Sequence, residues 1–67
     1  MFIFDSIEDD GCKIYYSKDH KYSVVERPDG VFLTYKFNEE ENLYDWLEDK
    51  SCSLEECERV VGIKWNN

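Results

Sequence analysis

Asn38-Glu39-Glu40-Glu41-Asn42-Leu43-Tyr44-Asp45-Trp46-Leu47-Glu48-Asp49 is the stretch on which the reading of this chain turns. Leu43, Trp46 and Leu47 fall at i, i+3 and i+4, with Tyr44 at their flank. That spacing predicts an amphipathic helix over residues 38–49. Asn38 suits the N-cap, and three glutamates in the first turn suit the positive end of the helix dipole. Glu41, Asp45, Glu48 and Asp49 then lie on or near the opposite side. One face should pack on a sheet, and the other should hold a block of negative charge in water.

Toward the N-terminus the periodicity changes to two. Cys12 to Tyr16, Tyr22 to Arg27 and Val31 to Phe37 read as strands. The polar segment 17–21 has hairpin length. Pro28-Asp29-Gly30 is the clearest turn signal, because proline presets φ and glycine accepts positive φ at the exit. Short turns between consecutive strands make an antiparallel meander. Ile14, Tyr16, Val31, Leu33, Tyr35 and Phe37 are the expected core face, covered by Leu43, Trp46 and Leu47. Lys13, Tyr15, Val25, Phe32, Thr34 and Lys36 are the expected outer face. Phe2-Ile3-Phe4 adds a short strand, and Ser6 to Gly11 reads as an acidic loop.

Toward the C-terminus, residues 50–53 read as a linker, and Ser53-Leu54-Glu55-Glu56 matches the capping box. A short second helix should run to about Val61, with Leu54, Cys57, Val60 and Val61 inward and Gly62 as its stop. Ile63-Lys64-Trp65 reads as a last short strand or an extended tail. The expected fold is α+β: residues 1–67 form one small domain, a meander of three to four strands with one longer and one short helix on one face. No internal repeat, low-complexity segment or domain boundary stands out.

A chain of 67 residues buries only about 60% of the surface its unfolded form exposes. Eleven aromatic residues compensate, since each buries roughly 150–250 Å². The net charge is −8, and it is uneven. Residues 1–11 carry −4, residues 12–37 carry +2, and residues 39–67 carry −6. Coulomb repulsion disfavours direct contact with nucleic acid or an anionic membrane and favours a basic protein partner. Such charge also keeps a small protein soluble. The three cysteines, Cys12, Cys52 and Cys57, do not make a disulfide framework. No signal peptide is expected, because Asp5 interrupts the apolar start at once, and no apolar run reaches the roughly 20 residues of a membrane span. A reducing cytoplasm is the expected setting.

Catalytic and metal chemistry have little support. The one histidine, His20, lies in a polar turn, and Cys52 and Cys57 sit among acids that raise a thiol's pKa. The cysteines lack the paired spacing of a zinc site, and the segment 6–11 lacks the alternating ligands of a calcium loop. Neither cofactor nor metal is expected.

Binding is the remaining class. The candidate contact residues are the acids Glu39, Glu40, Glu41, Asp45, Glu48, Asp49, Glu55, Glu56 and Glu58, with Tyr15 and Phe32 on the outer sheet face. Carboxylates repeated along helices resemble a phosphate backbone to arginines and lysines. The expectation is a non-enzymatic inhibitor that binds a basic nucleic-acid-binding protein by nucleic-acid mimicry. Small size, acidity and the lack of a catalytic constellation are shared in general terms with phage-encoded anti-CRISPR and anti-restriction proteins. No motif assigns the chain to one such family. The alternatives are an immunity or antitoxin-type protein that plugs a toxic enzyme, and a homodimeric module joined through the outer sheet face.

Overall fold

A computed structural model describes the chain over residues 2–65, with side chains described as far as residue 62. It contains β1 (Phe2–Ile7), β2 (Lys13–Ser17), β3 (Tyr22–Glu26), β4 (Phe32–Asn38), β5 (Leu43–Trp46) and one helix, α1 (Leu54–Trp65). The strands form a single antiparallel sheet in the order β1-β2-β3-β4-β5. This corrects the expectation of three to four strands with two helices.

Three of the four turns share one construction. Asp10, Asp19 and Asp29 each accept the backbone N–H two residues on, from Cys12 at 3.0 Å, Lys21 at 3.1 Å and Val31 at 3.2 Å. The residue between takes a left-handed conformation: Gly11 at φ 91°, His20 at 61° and Gly30 at 89°. Its N–H closes the turn on the carbonyl three residues back, that of Glu8, Ser17 or Arg27. A short acid that bonds its own backbone, followed by a residue tolerant of positive φ, is how such loops are specified locally. The backbone N–H groups hold the Asp10 and Asp19 carboxyls below their ordinary pKa. Their contribution is therefore present above the ordinary carboxylate range and is lost as pH falls through the depressed values.

The stretch 38–49 is not a helix. Asn38 does cap, since its Oδ1 accepts the N–H groups of Glu40 at 3.0 Å and Glu41 at 3.3 Å. The turn stops there because Asn42 adopts φ 58° and reverses the chain. Leu43–Trp46 then pairs with β4, placing Tyr44 opposite Phe37 and Asp45 opposite Lys36. An isolated helix this short is marginal in water, whereas each aromatic or opposite-charge pair across strands contributes on the order of 0.5 kcal/mol. The Phe37 and Tyr44 rings stand 5.1 Å apart.

After β5 the chain bulges and rejoins β4. The Leu47 N–H bonds the Thr34 carbonyl at 2.9 Å, and Ser51 pairs with Phe32 in both directions at 2.8 and 2.9 Å. Between them Glu48 sits exposed at φ 57°. A left-handed residue with a Cβ costs about 1–2 kcal/mol, and glycine returns part of that through its freer unfolded state. Glu48→Gly should stabilise by about 0.5 kcal/mol, raising the melting midpoint by about 2–4 °C. A lowered midpoint in a thermal scan followed by circular dichroism would contradict this reading of the bulge.

The core face is the reverse of the expected one. Val24 and Thr34 are opposite each other on β3 and β4, and both are fully buried with Cys57 of α1. Leu47 and Ser51 complete this cluster. The helix therefore lies on the face that carries Tyr15, Phe32 and Lys36. Ile14, Tyr16, Val25, Leu33, Tyr35 and Phe37 lie on the other face, where none is fully buried. Connection geometry explains the choice. Ser51 has the same side-chain direction as Phe32, so α1 starts on that side. Ser53 caps α1 by accepting the Glu56 N–H at 3.2 Å, and the Glu56 carboxylate reaches back to the Cys52 N–H at 3.0 Å. The helix passes through Gly62 to Trp65, so residues 63–65 are helical rather than a strand or extended tail. The Trp65 side chain lies outside the described residues.

Candidate functional site

The acids that the sequence singles out divide by what they do. Glu39, Glu40 and Glu41 are exposed at the tip of the β4–β5 hairpin. The tip is held from beneath by Asn38, whose Nδ2 also donates to Asp45 Oδ2 at 3.1 Å. Asp45 on β5, Glu48 in the bulge and Glu55 on the first turn of α1 are exposed as well. Asp49 is half-buried and occupied with the fold: Oδ1 accepts the Thr34 N–H at 3.1 Å and Oδ2 faces the Ser51 hydroxyl at 3.5 Å. Glu56 is half-buried and caps α1. Glu58 is half-buried too. The acidic group is thus a hairpin and its adjoining bulge, with Glu55 apart on the helix, and not one helical face.

The two aromatic candidates sit elsewhere. Tyr15 and Phe32 lie on the helix side and are half-buried. The Tyr15 hydroxyl donates to Glu26 Oε1 at 2.7 Å. That bond, followed by burial, raises the phenol's pKa. The Phe4 ring meets Tyr15 edge-on at 5.7 Å. These contacts fix the sheet.

Next to the acidic hairpin, on the helix side of β4 and β5, lies an open cleft of about 830 Å³. Glu39, Glu40, Asp45 and Glu48 line it together with Lys21, Lys36, Tyr22 and Leu47. Carboxylates hydrogen-bond and pair with guanidinium and ammonium groups, and the half-buried Tyr22 ring offers apolar surface for a long basic side chain's stem. Sequence reasoning missed Lys21, Lys36 and Tyr22. Their signal was the hairpin register, which brings β3 and the β4–β5 turn to one end of the sheet.

The opposite face holds a second group built around Tyr16, which the sequence reading had placed in the core, with His20 of the polar turn and Tyr44. The Tyr16 ring stacks on His20 at 5.0 Å, and Tyr44 stands 5.8 Å from Tyr16. The Tyr44 hydroxyl donates to the His20 carbonyl at 2.7 Å, and burial raises its pKa. His20 is therefore a turn residue packed on aromatics. Cys57 is fully buried, and desolvation pushes its thiol up, away from the thiolate needed for chemistry. The Thr34 and Ser51 hydroxyls lie against that thiol, but Thr34 Oγ1 makes no hydrogen bond of ordinary geometry. Among the described residues, no group of three or more His, Cys, Asp or Glu side chains is arranged to hold a metal ion. Among them, too, no helix is long and apolar enough to cross a membrane.

No protein-family model matches this chain, and neither does any curated protein or solved structure compared with it.

Proposed function

We propose that this chain is a non-catalytic protein-binding inhibitor. Its partner is a basic nucleic-acid-binding protein such as a nuclease of a bacterial defence system, and it competes there with DNA or RNA. The observation that carries the reading is the clustering of exposed carboxylates on one hairpin. Glu39, Glu40, Glu41, Asp45 and Glu48 are exposed on and beside the β4–β5 hairpin, next to a cleft whose walls mix carboxylates, Lys21 and Lys36 with the Tyr22 ring. Repeated negative charge on a rigid two-stranded support meets a groove of arginines and lysines as a phosphate backbone does. Steering of this kind speeds encounter and weakens steeply with salt. The reading calls for a cytoplasmic setting, in keeping with three free thiols.

The test compares the parent with the triple variant Glu39→Lys, Glu40→Lys, Glu41→Lys as bait in a bacterial lysate. Bound protein is eluted by rising salt and identified by mass spectrometry. None of these three carboxylates supports the fold by a hydrogen bond described above, so circular dichroism should be unchanged. The expected result is a nucleic-acid-binding protein released from the parent at moderate salt and absent from the variant. The purified partner should then lose duplex DNA as the parent is added. A partner held equally by parent and variant rejects the acidic hairpin as the contact. Capture of a toxic enzyme without a nucleic-acid site moves the chain to the immunity class.

A further inference from the structure

We propose that two copies of this chain associate face to face through the sheet surface opposite α1, forming a two-layer sandwich. Ile3, Ile14, Tyr16, Val25, Leu33 and Tyr35 line that surface across β1 to β4, and Phe37, Tyr44 and Trp46 continue it to the far edge. Strand positions on this face carry no charge apart from Asp5, which lies in the β1 bulge. Lys13, Glu26, Lys36 and Asp45 all fall on the helix side. A sheet with one solvated face normally turns its polar residues to water. Here the charged strand residues share the covered side with α1, along with the exposed Phe4, Ile7 and Leu43, and the open side carries Ser6, Ser23 and Asp5 among residues that are otherwise apolar or aromatic. Ile3 is 57% and Trp46 43% exposed. Meanwhile the buried hydrophobic residues, among those described, are only Val24, Leu47 and Cys57.

Size and chemistry point to a second copy as the cover. Five strands about 4.8 Å apart span on the order of 20 Å, and one helix about 10 Å wide covers only half of that. Another sheet of the same width and twist fits, since twisted sheets stack about 10 Å apart with their strands roughly aligned. Nine partly exposed side chains with on the order of 60 Å² each give about 540 Å² per copy. The total of about 1,100 Å² clears the roughly 1,000 Å² expected of a specific interface. Apart from Asp5 at the β1 edge the face is uncharged, so it meets its own copy across a two-fold axis with little charge to bury. A charged partner would leave an unpaired charge buried. The eight net negative charges stay at the rims and on the outer helices, so added salt screens their repulsion and tightens the pair. That is the opposite of the salt response of the acidic hairpin, so the two readings succeed or fail separately.

Sedimentation equilibrium of the whole chain at low and moderate salt tests this. The expected mass is twice 8.1 kDa, with association stronger at the higher salt. Leu33→Lys, at the middle of the face, should sediment as single copies, whereas Ile7→Lys, on the helix side of β1, should pair as the parent does. Should Leu33→Lys fail to fold, nuclear Overhauser contacts between labelled and unlabelled parent copies decide, and they are expected among the Tyr35, Phe37 and Trp46 rings. Single copies of the parent up to ~100 μM at both salts overturn the proposal. So does pairing that salt weakens. Pairing that Ile7→Lys abolishes and Leu33→Lys spares overturns it too, and assigns the contact to the β1 edge.

Discussion

Leu47→Ala should cost about 2–4 kcal/mol of folding stability, while Leu43→Ala should cost less than about 0.5. Leu47 is 6% exposed and Leu43 55%. Leu47 follows β5, donates its N–H to the Thr34 carbonyl and is buried in the cluster with Val24, Thr34 and Cys57. With so few buried hydrophobes, the cavity left by its side chain has no slack core to collapse into. Leu43 stands at the start of an edge strand with water on its outer side. A helix over residues 38–49 would put both leucines on one buried stripe and make the two costs alike. Urea denaturation of the two variants separates these cases. Equal midpoints would contradict the strand and bulge described here. A loss of this size is a large part of the 5–15 kcal/mol that holds a typical domain together.

Asp49→Ala should cost about 1–3 kcal/mol, and Asp49→Asn should recover most of it. The reason is an accounting of backbone donors. The bulge at Glu48 lifts the chain away from β4, so no carbonyl of the returning segment reaches the Thr34 N–H, and Asp49 Oδ1 takes it instead at 3.1 Å. Thr34 is fully buried, so alanine would leave that N–H without water or partner. Asparagine retains an acceptor oxygen at the same place. Hydrogen exchange at the Thr34 amide reads this directly: protection should fall in Asp49→Ala and persist in Asp49→Asn. Protection unchanged in the alanine variant would show that the carboxylate is not the acceptor that matters.

Much of the sheet was legible because its information is local. Each central turn carries its own aspartate and a following residue suited to positive φ, and the strands between them alternate cleanly. The segment 38–49 was not, because two periods coexist in it. Leu43, Trp46 and Leu47 match a helical stripe, while Leu43-Tyr44-Asp45-Trp46 also alternates across a strand. The pairing with β4 decides between them, and that pairing is not written in the segment itself. Asn42, a residue that tolerates the left-handed region, was the available sign. The covered face was misread for a related reason. Both faces carry aromatics, and the helix goes to the side on which Ser51 joins Phe32. Among the acids, exposure at positions 39–41 follows from charge in a turn. The capping duty of Glu56 was legible in the Ser53–Glu56 capping box, whereas the internal duty of Asp49 depends on where the chain returns, which residue type does not reveal.

The strand order has a kinetic consequence. Each strand of the sheet pairs with its neighbour in the chain, so every strand pairing closes only a short loop. Loop-closure entropy is then small at each step, and folding rates rise as contacts become more local. Hairpins form in about 1–10 μs, and four in succession build the sheet without a distant encounter. The pairing of Ser51 with Phe32 and the seating of Cys57 over Val24 and Thr34 span more chain. They follow as the slower step, which makes the zipped sheet without its helix the natural early species on the way to the folded chain.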